Sequence, residues 1–467
     1  MTIATFKIGI RALDALLGDI LVPKTLIVIS GDTGTGKTIL ASTICYSNAL
    51  EGHRCLYISS LEDKVKMYEE MKTFGMDFED LERKGLIRFY KLPIAVKRET
   101  LVNIAVNIHT LIKEYGPSVI IFDSFYPLMR LIYYQTSDRG VLEDLLNEIL
   151  MEVDGLIIFT VGRNLKKECI EGIDIEFLAD IILTLKREIK NNTLSRVIEI
   201  IKARNISANV AVIPFTIVKN KGILAHEPII LEKIPPLKPG KISIPCKILN
   251  EYIEHLHKGQ VIYIAYPPDA RPLQILLIIM GIVLVNGLRS MFISYRASPY
   301  EIIDLFKRQF RTIGLDPKLV DKVVEKYFIL EGINPAIGIE QQYIWEIELI
   351  KTHKPDIVVF HGVDIVANMG DPYEYRTDLF NQILHFKKMG ILVIRLGIYD
   401  EKWYPWNARI SDVVIKFDLT KDQFGGPKYT IHIWRLGRDP IILDHRQFER
   451  CIQETGKIVG KILKEYA

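Results

Sequence analysis

Cysteine is scarce in this sequence: Cys45, Cys55, Cys169, Cys246 and Cys451 are scattered, odd in number and form no C-x-x-C pair. That pattern argues against a zinc site and fits a reducing cytoplasm. No excess of either charge is present. The 60 Lys and Arg against 57 Asp and Glu leave a formal charge of +3, which gives no global electrostatic case for nucleic acid but allows a local basic patch. A membrane-spanning run is missing too: the longest uncharged apolar stretch, Ile275 to Val285, is too short for a bilayer and reads as a buried helix. The opening residues MTIATFKIGIRALDALLGD carry charges among their apolar positions and lack a small-residue cleavage site, so no secretory signal is expected.

What is present is a globular composition, 49% hydrophobic and 25% charged over 467 residues, enough for two or three domains with cores of their own. The chain is written twice. GHRCLYIS at Gly52 matches GLRSMFIS at Gly287, KTFGMD at Lys72 matches RTIGLD at Arg311, and PSVIIF at Pro117 matches PDIVVF at Pro355. EDLLNEIL at Glu143 then matches TDLFNQIL at Thr377, and Ala179-Asp180 matches Ser411-Asp412, so the five spacings all fall between 232 and 239 residues. Within each copy, short β-branched runs alternate with helical stretches. This predicts an α/β fold, a mostly parallel sheet with helices on both faces, built in tandem. Pro235, Pro236, Pro239 and Pro245 mark the linker, which places the domains at 1–240 and 241–467.

The first copy carries a phosphate-handling signature. Gly31, Asp32, Thr33, Gly34, Thr35, Gly36, Lys37 and Thr38 read GDTGTGKT, a full G-x-x-x-x-G-K-[ST] loop after the apolar run LIVIS. Glycines let successive N–H groups curl around a phosphate at a helix N-terminus. Lys37 would then reach the β/γ-phosphates of ATP or GTP, and Thr38 would hold Mg²⁺. Asp123 ends the run SVIIF, where a carboxylate can hold the Mg²⁺ water shell; the bland alternative is an ordinary strand-ending Asp. Glu62, after CLYIS, is placed to polarise an attacking water, against the alternative of capping the next helix.

The order Gly9-Ile10, Leu13-Asp14, GDTGTGKT, SSLED, FGMD, IIFDS, DIEFLADIILTL, IIKAR and Pro214 to Ile217 resembles the KaiC-like branch of the RecA/RadA superfamily, the family of the circadian clock ATPase. The resemblance spans nearly the whole chain as a tandem pair of RecA-like domains and is more specific for the first copy. It implies an ATPase using ATP and Mg²⁺ in a homo-oligomeric ring, commonly a hexamer, with nucleotide between subunits. It also implies that Lys202 and Arg204, in the K-x-R element, reach the γ-phosphate of the adjacent subunit; spacing alone gives only a solvated pair at a strand end. Many KaiC-like domains carry paired glutamates after the second strand. Here Leu61 takes the first place, which leaves Glu62 as the single base, and SLE resembles the ring helicases of the superfamily.

The second copy has lost these groups. Tyr266 to Leu273 (YPPDARPL) stands over the loop, His361 over Asp123 and Ala297 over Glu62. Ala408 and Arg409 replace the clock protein's phosphorylated Ser/Thr positions, which argues against self-phosphorylation. The expected function is therefore a slow ATPase whose second domain is a non-catalytic platform, acting as a switch or signalling scaffold with a protein partner of unknown identity. Two other readings stand beside it. One is a DNA-binding recombination accessory protein, for which Arg130, Tyr133, Tyr134 and Arg139, and then Arg163, Lys166 and Lys167, would supply the loops. The other is a non-hydrolysing nucleotide sensor, against which Glu62, Lys202 and Arg204 count. The aromatic stretch Trp403 to Trp406 reads as core packing or, less readily, as an exposed partner site.

Overall fold

The runs LIVIS, CLYIS, VIIF and LIIFT are buried along their whole length, because successive side chains go into two different helix-covered cores. Ile27 and Ile29 join one cluster with Leu40 and Ile44, while Leu26 and Val28 join another with Ile104 and Ile108. The computed structural model describes residues 6–93, 98–125, 153–162, 178–190, 193–204, 211–225, 233–269, 273–369, 372–421 and 427–464. Its chain divides into two compact units, Met1–Pro228 and Ile229–Ala467.

In the first unit the strands are β1 (Thr25–Gly31), β2 (Cys55–Ser59), β3 (Ile87–Lys91), β4 (Val119–Asp123), β5 (Leu156–Val161), β6 (Ile181–Lys190), β7 (Thr193–Ala203), β8 (Val212–Val218) and β9 (Gly222–Ala225). They form a sheet in the order β3-β2-β4-β5-β1-β6-β7-β8-β9, parallel from β3 to β6 and antiparallel from there on. Strand β3, IRFYK, escapes sequence reasoning because Arg88 and Lys91 interrupt its apolar run and only Ile87 is fully buried.

The second unit has β10 (Lys241–Ile242), β11 (Leu256–His257), β12 (Val261–Tyr266), β13 (Ser290–Ser294), β14 (Phe328–Gly332), β15 (Ile357–His361), β16 (Leu392–Ile398), β17 (Val413–Lys421), β18 (Pro427–Arg435) and β19 (Ile441–Leu443). Its main sheet runs β14-β13-β15-β16-β12-β17-β18-β19, the first unit's order again. Both units are RecA-like α/β domains. The repeat extends to individual hydrogen bonds. Asp180 accepts the Leu26 N–H at 3.0 Å and Asp412 accepts the Val261 N–H at 2.8 Å. Asn48 clamps the backbone of Lys7 from the end of its helix, as Asn286 clamps that of Ser243.

The cysteines and the aromatic stretch take definite places. Four of the five cysteines are paired, Cys45 with Cys55 and Cys246 with Cys451, across sequence separations of 10 and 205 that no spacing pattern reveals. The reading of Trp403 to Trp406 as core packing holds for its first member. Trp403 is a core residue whose indole N–H donates to Asn368 Oδ1 at 2.9 Å, and the short helix Tyr404–Arg409 follows it. Among the described residues no helix is long and apolar enough to cross a membrane; the run Ile275 to Val285 lies in the buried helix Gln274–Asn286.

Candidate nucleotide-binding site

Strand β1 delivers the glycine-rich loop to the carboxyl edge of the parallel strands. Gly31, Gly34 and Gly36 all have positive φ, at 153°, 78° and 106°. Space as well as torsion requires the first: a Cβ on Gly31 would stand 2.5 Å from the Leu185 carbonyl oxygen. Thr35 closes the loop, donating its N–H and its hydroxyl to the Asp32 carbonyl at 3.3 and 2.8 Å. The helix Lys37–Leu50 then begins behind Gly36 with no side-chain cap. Its first N–H groups, and the positive end of its dipole, are directed at the loop's concavity. Asp32, Thr33 and Gly34 are exposed on the rim, and Thr38 lies in the first helical turn.

Lys37 Nζ donates to the carbonyls of Gly31 and Asp32 at 2.8 and 3.0 Å. Burial lowers its pKa, with Asp123 and Asp32 pulling the other way, so Lys37 and Asp123 feel each other's charge. Asp123 is gripped by two hydroxyls: Tyr57 OH donates to Oδ2 at 2.8 Å and Thr160 Oγ1 to Oδ1 at 2.6 Å. Burial, and then the Asp123 charge, push the Tyr57 phenol well up, so it stays a donor. Neither residue was singled out in the sequence. Tyr57 reads as one more apolar strand position, and Thr160 meets Asp123 only through the pairing of β4 with β5.

Glu62 sits in the turn after β2, its N–H donating to Ser59 Oγ at 3.1 Å. Oε1 lies 3.8 Å from Lys66, and Oε2 is buried with no hydrogen-bond partner among the described residues. Burial raises the Glu62 pKa, reinforced by Glu70 and Asp123 and opposed by Lys66 and Lys91. A carboxyl with a raised pKa and an unused oxygen is suited to receive a proton.

The structure gathers the loop, Thr38, Asp123 and Glu62 at one edge, and leaves Lys202 and Arg204 at the other. Lys202 pairs with Ile182 at the start of β6, and Arg204 Nη1 lies 3.2 Å from Asp180 Oδ1. Asp180 is itself bonded to Leu26, five residues before Gly31, which is about 16 Å along a strand. A cation that spacing along the chain does not reveal is nearer. Arg187 Nη1 on β6 would be only 2.9 Å from a Cβ on Gly34, and Arg187 pairs directly with Arg196 on β7. The candidate nucleic-acid residues Arg130, Tyr133, Tyr134, Arg139, Arg163, Lys166 and Lys167 lie outside the described residues.

Register fixes the second unit's counterparts. Ser294 pairs with His361 as Ser59 pairs with Asp123, and Ala297 N–H donates to Ser294 Oγ as Glu62 does to Ser59. Phe292 and Leu396 occupy the places of the hydroxyl donors Tyr57 and Thr160, and Trp434 that of Lys202. Among the described residues no cluster of His, Cys, Asp and Glu could hold a metal ion by itself.

A twisted parallel sheet carrying a glycine-rich loop at its carboxyl edge, continued by an antiparallel hairpin, defines the class of RecA-like α/β ATPase domains. Comparison with known proteins narrows the class. Residues 6–228, just under half of the chain, match the family model described as "ATPase: KaiC". Circadian clock oscillator protein KaiC from Thermostichus vulcanus is 27% identical over 197 residues, 42% of this chain and 38% of that protein. That from Picosynechococcus sp. is 25% identical over 245 residues, 52% and 47% respectively, and that from Rippkaea orientalis is 27% identical over 202 residues, 43% and 38%. The matches thus span less than half the length of these curated relatives. The first unit is a KaiC-like ATPase domain of the RecA superfamily.

Proposed function

We propose that the first unit binds ATP with Mg²⁺ and hydrolyses it slowly at subunit interfaces of a ring, commonly a hexamer, while the second unit is a non-catalytic platform. The chain would act as a cytoplasmic molecular switch or signalling scaffold. The observation that carries this reading is the separation of the loop, Asp123 and Glu62 from Lys202 and Arg204 on opposite edges of one sheet. A second subunit can bring those cations to the site, which a single subunit's own Lys202 and Arg204 do not reach. The residues fit the cofactor: the loop offers an uncapped helix start and a tight turn at Gly31 that a Cβ, 2.5 Å from the Leu185 carbonyl oxygen, would not allow. Thr38 and Asp123 are oxygen donors of the kind Mg²⁺ takes, and the ion would neutralise phosphate charge. Lys37 would exchange its carbonyl partners for β/γ-phosphate oxygens, and Glu62 would orient the attacking water and take its proton. The second unit lacks a counterpart to each of these groups, and that loss supports the platform role.

The test is complementation between two dead variants. Glu62→Gln and Arg204→Ala should each be inactive alone, since a cation supplied in trans contributes about 10³ to 10⁵ in rate. Mixed rings should recover some turnover, because a fraction of interfaces then joins an intact Glu62 to an intact Arg204. No recovery in rings shown to have mixed would sink the shared site. Calorimetry should give one nucleotide per chain and none for Lys37→Ala.

A further inference from the structure

At the amino edge of the second unit's parallel sheet, far along the strands from any phosphate loop, the strand starts carry a row of cations. In the order β13-β15-β16-β12 four starts lie side by side across about 15 Å. Arg289 precedes β13, Lys354 precedes β15, Lys387 and Lys388 precede β16, and Lys258 precedes β12. Close contacts join the row. A Cβ on Gly259 would stand 3.1 Å from the Lys387 carbonyl oxygen and one on Gly390 would stand 2.7 Å from Lys238 Cδ, while Lys238 Nζ donates to the Met389 carbonyl at 3.3 Å. Lys238, Arg289, Lys354 and Lys388 are exposed, as is Lys351 in the last turn of the helix Ile339–His353.

The acids at these strand starts are already engaged. Asp356 accepts Lys258 Nζ and the Arg289 N–H at 3.2 Å each, and Asp412 accepts the Val261 N–H at 2.8 Å. The field of the row is felt inside the unit: after burial, Lys351 and Lys388 are what lower the pKa of His385 to about 4. Basic residues suit the negative end of a helix, and Lys351, Lys387 and Lys388 all stand in last turns. The repeat shows that this alone does not demand a basic edge. At the same edge of the first unit Lys24, Arg54 and Lys113 are interspersed with Glu51, Glu114 and Asp154.

We propose that this edge of the second unit is a docking surface for duplex nucleic acid, held through its phosphates without readout of the bases. A duplex carries a charge every 1.7 Å or so of its axis, so a row of about 15 Å faces about nine of them. An extended acidic peptide offers at most one charge per residue, about 3.3 Å apart, and matches the row less densely. Segments 238–241, 257–260, 287–289, 351–356 and 387–391 contain no Trp, Tyr or Phe on which an unpaired base could stack, which favours the duplex over a single strand. The surface uses none of the residues assigned to ATP and stands whether or not that reading holds.

The full-length protein is titrated against a fluorescein-labelled DNA duplex of about 30 base pairs, followed by anisotropy from about 50 to 300 mM salt. The logarithm of the binding constant should fall with that of the salt concentration at a slope of about −4, for four or five phosphates neutralised. Lys351→Ala/Lys388→Ala should weaken binding about 10- to 100-fold at about 100 mM salt and bring the slope to about −2. Lys238→Ala should act in the same direction by about half as much on the slope, and ATP turnover should be unchanged in both variants. The proposal is overturned if no duplex binds at about 50 mM salt, or if both variants bind as the wild type does, which would place the contact elsewhere. It also fails if a single strand of the same length binds more tightly, or if poly-glutamate of matched charge displaces the duplex as well as unlabelled duplex does. The wild-type competition needs no variant, so it decides the matter even if a substitution disturbs folding.

Discussion

The Tyr57 hydroxyl donates to Oδ2 of Asp123 at 2.8 Å from a fully buried ring on the neighbouring strand. The bond holds the carboxylate in one orientation at the edge where a metal-bound phosphate would lie. Tyr57→Phe removes a single oxygen and leaves Asp123 with the Thr160 donor alone. Stability should fall by about 1–3 kcal/mol, the range for a hydrogen bond to a charged group. A urea midpoint unchanged from wild type would show that the bond contributes nothing.

The raised pKa of Glu62 sets the acid side of the proposed reaction. Burial holds its carboxyl above 4.5, and a base must be ionised to accept a proton. Turnover should therefore fall on acidification with a midpoint above that of an ordinary glutamate, while circular dichroism shows the fold intact. A midpoint at or below 4.5 would remove Glu62 from the role of base.

His385 supplies a pH dependence of stability with the opposite chemistry. Burial, then Lys351 and Lys388, lower its pKa from 6.5 to about 4, and both ring nitrogens lack hydrogen-bond partners among the described residues. Between these two values the unfolded chain binds a proton that the folded chain refuses, so stability is lost as pH falls from 6.5 towards 4. His385→Leu should flatten that part of the melting-temperature profile. An identical slope in the variant would refute the assignment.

Glu346 is buried and accepts from Tyr295 OH at 2.5 Å, Gln342 Nε2 at 2.7 Å and Gln382 Nε2 at 2.6 Å, with Arg395 buried nearby. Glu346→Ala strands three donors and leaves the Arg395 charge with less compensation. The expected cost is about 1–3 kcal/mol, as for stranding buried hydrogen-bond donors, seen as a lowered unfolding midpoint of the second unit. A cost below about 1 kcal/mol would mean that water replaces the carboxylate readily.

The sequence by itself determined the tandem α/β architecture and the identity of the loop. Both are local or periodic signals: β-branched runs of strand length, a fixed glycine and lysine spacing, and one order of matches repeated along the chain. It also located Asp123 and Glu62, because the end of a parallel strand is where the chain must leave the sheet. Residues brought together across strands stayed hidden. Thr160 meets Asp123 through the pairing of β4 and β5, Arg187 reaches Gly34 through that of β1 and β6, and Cys246 meets Cys451 across 205 residues. Trp403 shows the same limit from the other side, since a loop aromatic and a core aromatic look alike until burial is known. Spacing along a chain fixes which face and which edge a residue occupies, but strand order and register decide what stands beside it, and these depend on packing over the whole unit.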